Sequence, residues 1–200
     1  MNGCWRVRIA RSRRGGSGPH RRHRVLLARI TVLLAAALLG ACAHTPVATP
    51  AVGAPAALIV HEPLPGLYTA GQPAAADWAA IRARGVDTVI DLRMPGELKD
   101  RDEAAEVRAA GLRYLRLPVD GAAGVNAANA KLLHEALRPV HGQVLVHCAT
   151  SNRAGALLAL EQQQFDGLSQ QQALQLGRAA GVTKLDARLR EVLGLGHEAH

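Results

Sequence analysis

One stretch of the chain combines a nucleophile, a polar loop and a cation at a spacing that suits an oxyanion. Cys148 follows an apolar, β-branched run, and Arg153 closes a short polar loop where a helix rich in alanine and leucine begins. In a strand-to-helix turn the backbone N–H groups point inward, and the positive end of the helix dipole stabilises a thiolate. An arginine can hold two oxygens of one phosphate with its planar fork. These residues predict a site where Cys148 attacks a bound oxyanion.

The same stretch, from His147 to Arg153, resembles the His-Cys-x5-Arg active-site loop of the cysteine-dependent protein tyrosine and dual-specificity phosphatases. Gly71-Gln72-Pro73 and Asp91-Leu92-Arg93 are similar to a bacterial, phosphatase-like branch of that superfamily. The resemblance covers about residues 60–195. It implies the cysteine-phosphatase fold and the hydrolysis of a phosphate ester.

The resemblance also implies roles for the residues from Cys148 to Arg153, which we call the Cys148 loop. Cys148 would form a cysteinyl-phosphate, and Arg153 would hold the phosphate oxygens in the transition state. His147 would lie behind the loop and tune the thiolate; a hydrogen-bonded core histidine is the plainer interpretation. The backbone amides of the remaining loop residues would complete phosphate binding: Ala149, Thr150, Ser151 and Asn152.

A general acid must protonate the leaving oxygen, and the resemblance places an aspartate about thirty residues before the cysteine, after the preceding strand. Asp120 lies 28 residues before Cys148 and follows a predicted strand, so it fits both conditions. Gly121 and Gly124 would let its loop close over substrate. An Asp-Gly pair is also common in solvated turns, which is the alternative. The weaker candidates are Asp100, Asp102 and Glu103.

Arg93 ends the first long predicted strand, and two interpretations remain open for it. It is a candidate phosphate-binding residue if it faces the anion, or it pairs with Asp91 or Glu97. Gln72 resembles a family feature beside the pocket, but a structural turn explains it equally well.

Ala154 departs from the family pattern, in which a serine or threonine follows the loop arginine. In the resembled enzymes that hydroxyl eases departure of the thiolate in the second step. Thr150 or Ser151 is a possible substitute. We therefore expect phosphate binding to be retained and hydrolysis of the phosphoenzyme to be slow.

The charge of the chain is unevenly distributed. Of 24 lysines and arginines, nine arginines lie within residues 1–41, which contain no acidic residue. The remaining 15 basic residues face 16 acidic ones, so the formal net charge of +8 belongs to the N-terminal part. This distribution, with few aromatic residues, argues against nucleic acid as a partner.

Residues 1–41 resemble a bacterial signal peptide, with an arginine-rich start, an apolar segment and a lipobox, Leu39-Gly40-Ala41-Cys42. We predict lipidation of Cys42 and export to a membrane surface facing the periplasm or cell exterior. Residues 42–57, rich in proline and alanine, are predicted to be a flexible tether, and 58–200 the phosphatase-like domain. Plain secretion or an uncleaved anchor is the alternative.

The three cysteines of the chain have separate fates in this interpretation. Cys4 leaves with the signal peptide, Cys42 carries lipid, and Cys148 remains as the free thiol. No Cys-x2-Cys or His-x3-His pair joins His134 or His141 to Cys148, so we predict neither a metal nor another cofactor.

Strand and helix patterns alternate from about residue 74 to 165, which indicates parallel βαβ units. We predict an α/β fold with a central, parallel-rich sheet of four to five strands and helices on both faces. The carboxyl ends of the strands near Asp91, Val119 and His147 would meet at one edge, where ligands bind in such sheets. One of the predicted helices covers residues 97–110.

Two other functions remain open. A sulfurtransferase of the rhodanese kind also uses a cysteine in a strand-to-helix loop, typically six residues long, whereas the resemblance assigns the longer phosphatase loop. A non-catalytic phosphate-binding lipoprotein is the second alternative, and Ala154 favours it. For a phosphatase we expect a phosphoprotein or small phosphate ester as substrate, because the loop residues 149–152 lack the positive charge that highly phosphorylated inositol lipids require.

Overall fold

The computed structural model describes residues 57–196, and all structural statements refer to them. A five-stranded sheet with the order β1-β2-β5-β3-β4 forms its centre. β1 pairs with β2 in antiparallel fashion, and the other neighbouring pairs are parallel. The strands are β1 Val60–Leu64, β2 Leu67–Ala70, β3 Val86–Asp91, β4 Arg113–Arg116 and β5 Gln143–His147.

Helices cover both faces of the sheet, which confirms the predicted architecture. Successive residues of a strand point to opposite faces, so β3 and β5, which are rich in β-branched residues, contribute to two separate apolar cores. The helices are α1 Asp77–Ala83, α2 Glu103–Ala109, α3 Ala127–Leu137, α4 Asn152–Phe165, α5 Gln170–Ala179 and α6 Asp186–Val192. The core on the side of α1 and α2 includes Trp78, Ile81, Val89, Val107 and Leu145. The core on the other side includes Ile90, Val144, Val146, Leu157 and Leu174.

The register of the parallel strands sets the position of the Cys148 loop. His147, the last residue of β5, is opposite Ala70 of β2 and Asp91 of β3. Asp91 is in turn opposite Arg116 of β4. The segments that follow these strands therefore leave the sheet at one edge, as predicted.

The predicted helix over residues 97–110 is too long at its beginning. The observed helix α2 starts at Glu103, because the carboxylate of Asp102 accepts a hydrogen bond from the Ala105 amide at 3.0 Å and caps the helix there. Residues 97–102 form an irregular connection after a turn at Gly96, whose φ is +87°. This connection brings Glu97 to the edge of the sheet where the Cys148 loop lies.

Helix α4 is the central helix, and its residues from Asn152 to Glu161 are all buried. Gly155 allows the connection between α5 and α6 to approach α4 closely. A Cβ atom on residue 155 would lie 2.9 Å from the carbonyl oxygen of Ala180 in that connection. Within residues 57–196, none of the helices is both long and apolar enough to cross a membrane.

Candidate active site

The Cys148 loop is one residue shorter than its resemblance to the His-Cys-x5-Arg motif implied. Four residues separate Cys148 from Arg153, whereas that motif has five, so the likeness was wrong in this respect. Counted with both ends, the loop has six residues, which is the length typical of the sulfurtransferase alternative. Loop length therefore no longer favours a phosphatase over a sulfurtransferase. The other contacts of the site and the comparison with related proteins must distinguish these two functions.

The loop joins the end of β5 to the first turn of α4. Cys148 is only 1% exposed, and Ser151 adopts a left-handed conformation with a φ of 66°. The Ser151 hydroxyl donates to the carbonyl of Ala180 at 2.8 Å, and no side chain caps the N-terminus of α4. The first N–H groups of a helix need acceptors, so this uncapped end beside a buried cysteine is suited to an anion.

Neighbouring segments hold the loop from two sides. On the β2 side, the Gln72 amide donates to the carbonyl of Ala149 at 3.2 Å. On the α5–α6 side, the side-chain oxygen of Asn152 accepts from the amides of Thr183 and Leu185 at 2.9 and 3.2 Å. These contacts give Gln72 and Asn152 a clear structural role, and they fix the loop without occupying its N–H groups.

Arg153 lies in the first turn of α4, and Glu97 holds its guanidinium. Nη1 and Nη2 donate to the two carboxylate oxygens of Glu97 at 2.7 and 2.5 Å, and Nη1 also donates to the carbonyl of Val119 at 2.8 Å. The bond to Glu97 raises the pKa of Arg153, and the nearby Cys148 contributes to the same shift against the effect of burial. That bond also lowers the pKa of Glu97. Sequence reasoning missed this pair, since it considered Glu97 only as a partner of Arg93.

Asp120 is exposed and directly follows Val119. Arg153 binds the backbone carbonyl of Val119, so the proposed general acid is one residue away from the position that Arg153 contacts. The loop of Asp120 forms a turn with contacts to Gly124 and Arg188, and closure of this loop over substrate stays a prediction. A Cβ on Gly124 would lie 2.6 Å from the Asp120 amide, so this glycine permits a close approach of the backbone. Arg188 of α6 donates to the carbonyl of Val125 at 3.1 Å and holds the turn from outside.

Arg93 is buried in an ion-pair network. This supports the interpretation that Arg93 pairs with Asp91, and Glu103 is an additional partner. Its guanidinium binds both oxygens of Asp91 at 2.8 Å, and Nη2 lies 2.8 Å from Glu103. A short hydrogen bond also joins Arg93 to the side-chain oxygen of Gln72. Its bonds are with these protein groups and not with Glu97, so its contacts do not support the phosphate-binding role.

Asp91 and Glu103 complete this network beneath the loop. Burial alone would raise the pKa of Asp91, but hydrogen bonds from Arg93 and Tyr114, together with an electrostatic interaction with His147, lower it. Burial, together with the hydrogen bond to Asp91, raises the pKa of Tyr114 to about 12. His147 is fully buried, and its Nε2 lies 2.9 Å from Glu103.

Two of the three weaker general-acid candidates have structural contacts. Glu103 is buried against His147 and Arg93, and Asp102 caps α2. Asp100 is exposed on the connection before α2. Asp120 keeps the position next to the carbonyl that Arg153 binds.

A cleft of about 620 Å³ lies beside the loop. Thr150 and Ser151 of the loop form one wall, and His61 and Asp77 provide its ionisable groups. Within the described part of the chain, no lysine or arginine lines this cleft.

Solved structures show the same architecture. A candidate phosphatase of Shewanella putrefaciens CN-32 is 29% identical, with a TM-score of 0.52 over 69% of this chain and 91% of the other. A candidate phosphatase of Neisseria meningitidis Z2491 is 21% identical, with a TM-score of 0.57 over 66% of this chain and 96% of the other, and it shows the fold alone. The sheet, its helices and the loop at its carboxyl edge thus define a phosphatase-like α/β domain.

Sequence comparison assigns the family. Residues 63–165, just over half of the 200-residue chain, match the family described as beta-lactamase hydrolase-like protein, phosphatase-like domain. The chain belongs to this family. A beta-lactamase hydrolase-like protein of Xylella fastidiosa (strain Temecula1) is 32% identical over 119 residues, which are 58% of this chain and 27% of that protein. The match therefore spans about a quarter of this relative's length.

Proposed function

We propose that the chain is a cysteine-dependent phosphoric monoester hydrolase of the protein tyrosine and dual-specificity phosphatase type. One observation carries the proposal: a buried cysteine lies at the uncapped N-terminus of α4, next to an arginine whose orientation a carboxylate fixes. This combination stabilises both a thiolate and the charge of a bound phosphate. Membership of a phosphatase-like family supports it independently.

In the proposed reaction, the Cys148 thiolate attacks phosphorus and forms an S–P bond while the P–O bond to the leaving group breaks. Asp120 gives its proton to the leaving oxygen, which departs as an alcohol or phenol. A water molecule then attacks phosphorus, Asp120 takes one of its protons, and the S–P bond breaks to release inorganic phosphate and the thiolate. Arg153 and the amides of residues 149–153 hold the equatorial oxygens throughout.

The Cys148 loop favours a substrate with a single phosphate. None of residues 149–152 is a lysine or arginine, and polyphosphorylated ligands require further positive charge. Among the described residues, the neighbouring cleft is lined by Thr150 and Ser151 but not by Cys148, Arg153 or Asp120. We propose a phosphoprotein or a small phosphate ester as the substrate class, and no nucleic acid.

A sulfurtransferase is the second candidate, because the six-residue loop matches the length expected for that activity. In this alternative, Cys148 would accept the outer sulfur of a donor such as thiosulfate, release sulfite, and pass the sulfur to a nucleophile such as cyanide. The same loop amides would bind the donor's oxyanion.

We also propose that the protein is exported and anchored at a membrane through lipid on Cys42. The proposal rests on the lipobox-like Leu39-Gly40-Ala41-Cys42, which lies outside the described residues. Metabolic labelling with a fatty acid should label the wild-type protein in cells, and Cys42→Ala should abolish the label. Equal labelling of both would contradict the anchor.

The decisive activity test compares the purified full chain with its Cys148→Ser variant in two assays. We expect hydrolysis of p-nitrophenyl phosphate by the wild type and its loss in Cys148→Ser. The transfer of sulfur from thiosulfate to cyanide should be absent from both. Equal hydrolysis by the two proteins would refute the phosphatase, and cysteine-dependent formation of thiocyanate without hydrolysis would establish the second candidate.

A further inference from the structure

Asp120 is the first residue of a turn that leads into α3, and we call residues 120–125 the Asp120 turn. The carbonyl of Asp120 accepts a hydrogen bond from the Gly124 amide at 2.7 Å. The carbonyl of Ala122 accepts one from the Val125 amide at 3.1 Å. Because the proposed general acid begins this turn, the position of the turn determines where its carboxyl group lies.

Arg188 of α6 binds the Asp120 turn at two points. Its Nε donates to the carbonyl of Ala122 at 3.2 Å, and its Nη2 donates to the carbonyl of Val125 at 3.1 Å. Its Nη1 lies 3.0 Å from the carboxylate of Glu191, one turn further along α6, which helps to orient the guanidinium. The rigid fork of a guanidinium suits two acceptors at once. All three nitrogens thus have protein partners, and two of these partners belong to the turn.

Two asparagines at the start of α3 bind the remaining carbonyls of the turn. The side-chain amide of Asn126 donates to the carbonyl of Ala123 at 3.0 Å, and that of Asn129 donates to the carbonyl of Gly124 at 2.8 Å. These two contacts are local, because the asparagines follow the turn directly in the chain. Arg188 comes from a separate element, so it ties the turn to the tertiary structure.

The backbone before Asp120 is also held. The amide of Val119 donates to the carbonyl of Leu92 at 2.9 Å, and the carbonyl of Val119 accepts from Arg153 at 2.8 Å. Asp120 therefore lies between a segment that Arg153 binds and a turn that Arg188 binds. A backbone held on both sides restricts the positions of the exposed carboxyl group, and such orientation before the reaction favours catalysis.

We propose that Arg188 is a positioning residue for the general acid. By binding the carbonyls of Ala122 and Val125, it holds Asp120 within reach of the leaving oxygen before substrate binds. Arg188 itself does not touch the substrate. The inference rests on the proposed function, in which Asp120 protonates the leaving group, and it assigns a role to a residue of α6 that sequence reasoning did not consider.

Two competing explanations of Arg188 make different predictions. If Arg188 only stabilises the packing of α6, its loss should slow the reaction of every substrate equally. If the turn must instead close over substrate, as Gly121 and Gly124 suggest, loosening it should leave the rate unchanged or raise it. A positioning role predicts a loss confined to substrates whose leaving group needs a proton.

The test measures kcat/KM of the full chain for two esters. Phenyl phosphate has a strongly basic leaving group that needs the acid's proton, whereas the leaving group of dinitrophenyl phosphate departs without it. We expect Arg188→Gln to lower kcat/KM for phenyl phosphate about 10²-fold and to leave the value for dinitrophenyl phosphate nearly unchanged. Arg188→Lys keeps the charge but not the fork, so it should fall between. Arg190→Gln, on the same helix and paired with Asp186, is the matched control and should change neither value.

Two further measurements separate positioning from a general loss of structure. In the Asp120→Asn background, Arg188→Gln should have little further effect on phenyl phosphate, because the group that it positions is gone. Hydrogen exchange reports the turn directly and needs no turnover. The amides of Gly124 and Val125 should exchange faster in Arg188→Gln than in the wild type. Arg190→Gln should not change their exchange.

Three results would overturn the proposal. These are an equal change in kcat/KM for the two esters, an undiminished effect of Arg188→Gln in the Asp120→Asn background, and unchanged exchange of the turn amides in folded Arg188→Gln. If Arg188→Gln does not fold, the same comparisons with Arg188→Lys decide the case. A wild type that hydrolyses neither ester would refute the phosphatase, and hydrogen exchange would then show separately whether Arg188 holds the turn.

Discussion

Protein groups already fix the Arg153 guanidinium. Glu97 accepts from Nη1 and Nη2, and the carbonyl of Val119 accepts from Nη1. A fixed guanidinium loses little conformational freedom when phosphate binds, which favours binding. Through these contacts Arg153 connects the segment after β3, at Glu97, and the segment after β4, at Val119, to the Cys148 loop.

Asp120→Asn should remove the proton donor and leave the loop intact, because the carbonyl of the neighbouring Val119 makes the contact with Arg153. We expect kcat for p-nitrophenyl phosphate to fall about 10²–10⁴-fold. The decline of kcat/KM toward high pH should also disappear, since kcat/KM reports the first chemical step and its decline reports loss of the acid's proton. A pH–rate profile unchanged in shape and height would exclude Asp120, and Asp100→Asn is the matched control.

Ala154→Ser should accelerate the second chemical step. Ala154 is fully buried in the first turn of α4, so a serine there lies next to the Cys148 loop and could donate to the leaving thiolate. In stopped-flow experiments we expect a burst of p-nitrophenol from the wild type, close to one equivalent per enzyme. The burst should shrink in Ala154→Ser while the steady rate rises. A linear wild-type trace would show that dephosphorylation is not limiting.

The sequence predicted that Cys148 and Arg153 lie at the two ends of a strand-to-helix loop, because they are close together in the chain and follow a strong strand pattern. It did not predict the two carboxylates that contact Arg153 and His147. Glu97 and Glu103 lie in a charged segment where acidic residues are common, and only tertiary folding selects which of them meets Arg153 and which meets His147. The motif match also concealed a missing loop residue, which a count of the four intervening residues reveals.

At the scale of elements, the contact between α4 and the α5–α6 connection supports the loop. The carbonyl of Ala180 accepts hydrogen bonds from Ser151 in the loop and from Thr69 of β2, both at 2.8 Å. Gly155 leaves room for that carbonyl. A helix interior normally disfavours glycine by about 1 kcal/mol relative to alanine, so its presence here is explained by packing.

Gly155→Ala should therefore destabilise the protein in spite of its better helix propensity. The added Cβ would lie 2.9 Å from both the Ala180 oxygen and Val182 Cγ2, and such overpacking costs about 1–3 kcal/mol. We expect a lower Tm and a lower kcat, since the displaced carbonyl anchors Ser151. Gly196→Ala, where the added Cβ would meet no atom, is the control. Equal Tm values for the two variants would contradict this account of the packing.

Most elements were predictable, because strand and helix periods differ clearly and the helices end at glycine or proline. The apolar run before Cys148 forms β5, Gln143–His147, and the helix rich in alanine and leucine that follows the loop forms α4, Asn152–Phe165, as the sequence pattern indicated. The start of α2 was not predictable, since several acidic residues in a row offer more than one possible cap. Asp102 becomes the cap, while the residues before it form the irregular connection that carries Glu97.

At the scale of the whole molecule, the buried network makes stability depend on pH. Hydrogen bonds from Arg93 and Tyr114, and an electrostatic interaction with His147, lower the pKa of Asp91 in spite of its burial. A carboxyl group with a lowered folded pKa stabilises the protein above its unfolded value of about 3.9. That stabilisation is lost as the pH falls through the folded value.

Asp91→Asn should consequently be less stable than the wild type at pH 7 by about 3–5 kcal/mol, because it leaves Arg93 without its closest anion. The difference should shrink as the pH falls from about 3.9 toward the lowered folded pKa of Asp91, where the wild-type carboxyl group also loses its charge. Urea unfolding at pH 7 and pH 3 measures both values. A difference that stays constant with pH would show that Asp91 acts through packing and not through charge.

The central claim is that Cys148 carries a phosphoryl group during turnover. The most direct test mixes the full chain with p-nitrophenyl phosphate, quenches the reaction within the burst, and maps the modification by mass spectrometry. Our account predicts phosphate bound to the sulfur of Cys148 in the wild type and in Asp120→Asn, and none in Cys148→Ser. A hydrolysing enzyme without phosphate on Cys148, or a persulfide at Cys148 after exposure to thiosulfate together with no hydrolysis, would contradict it.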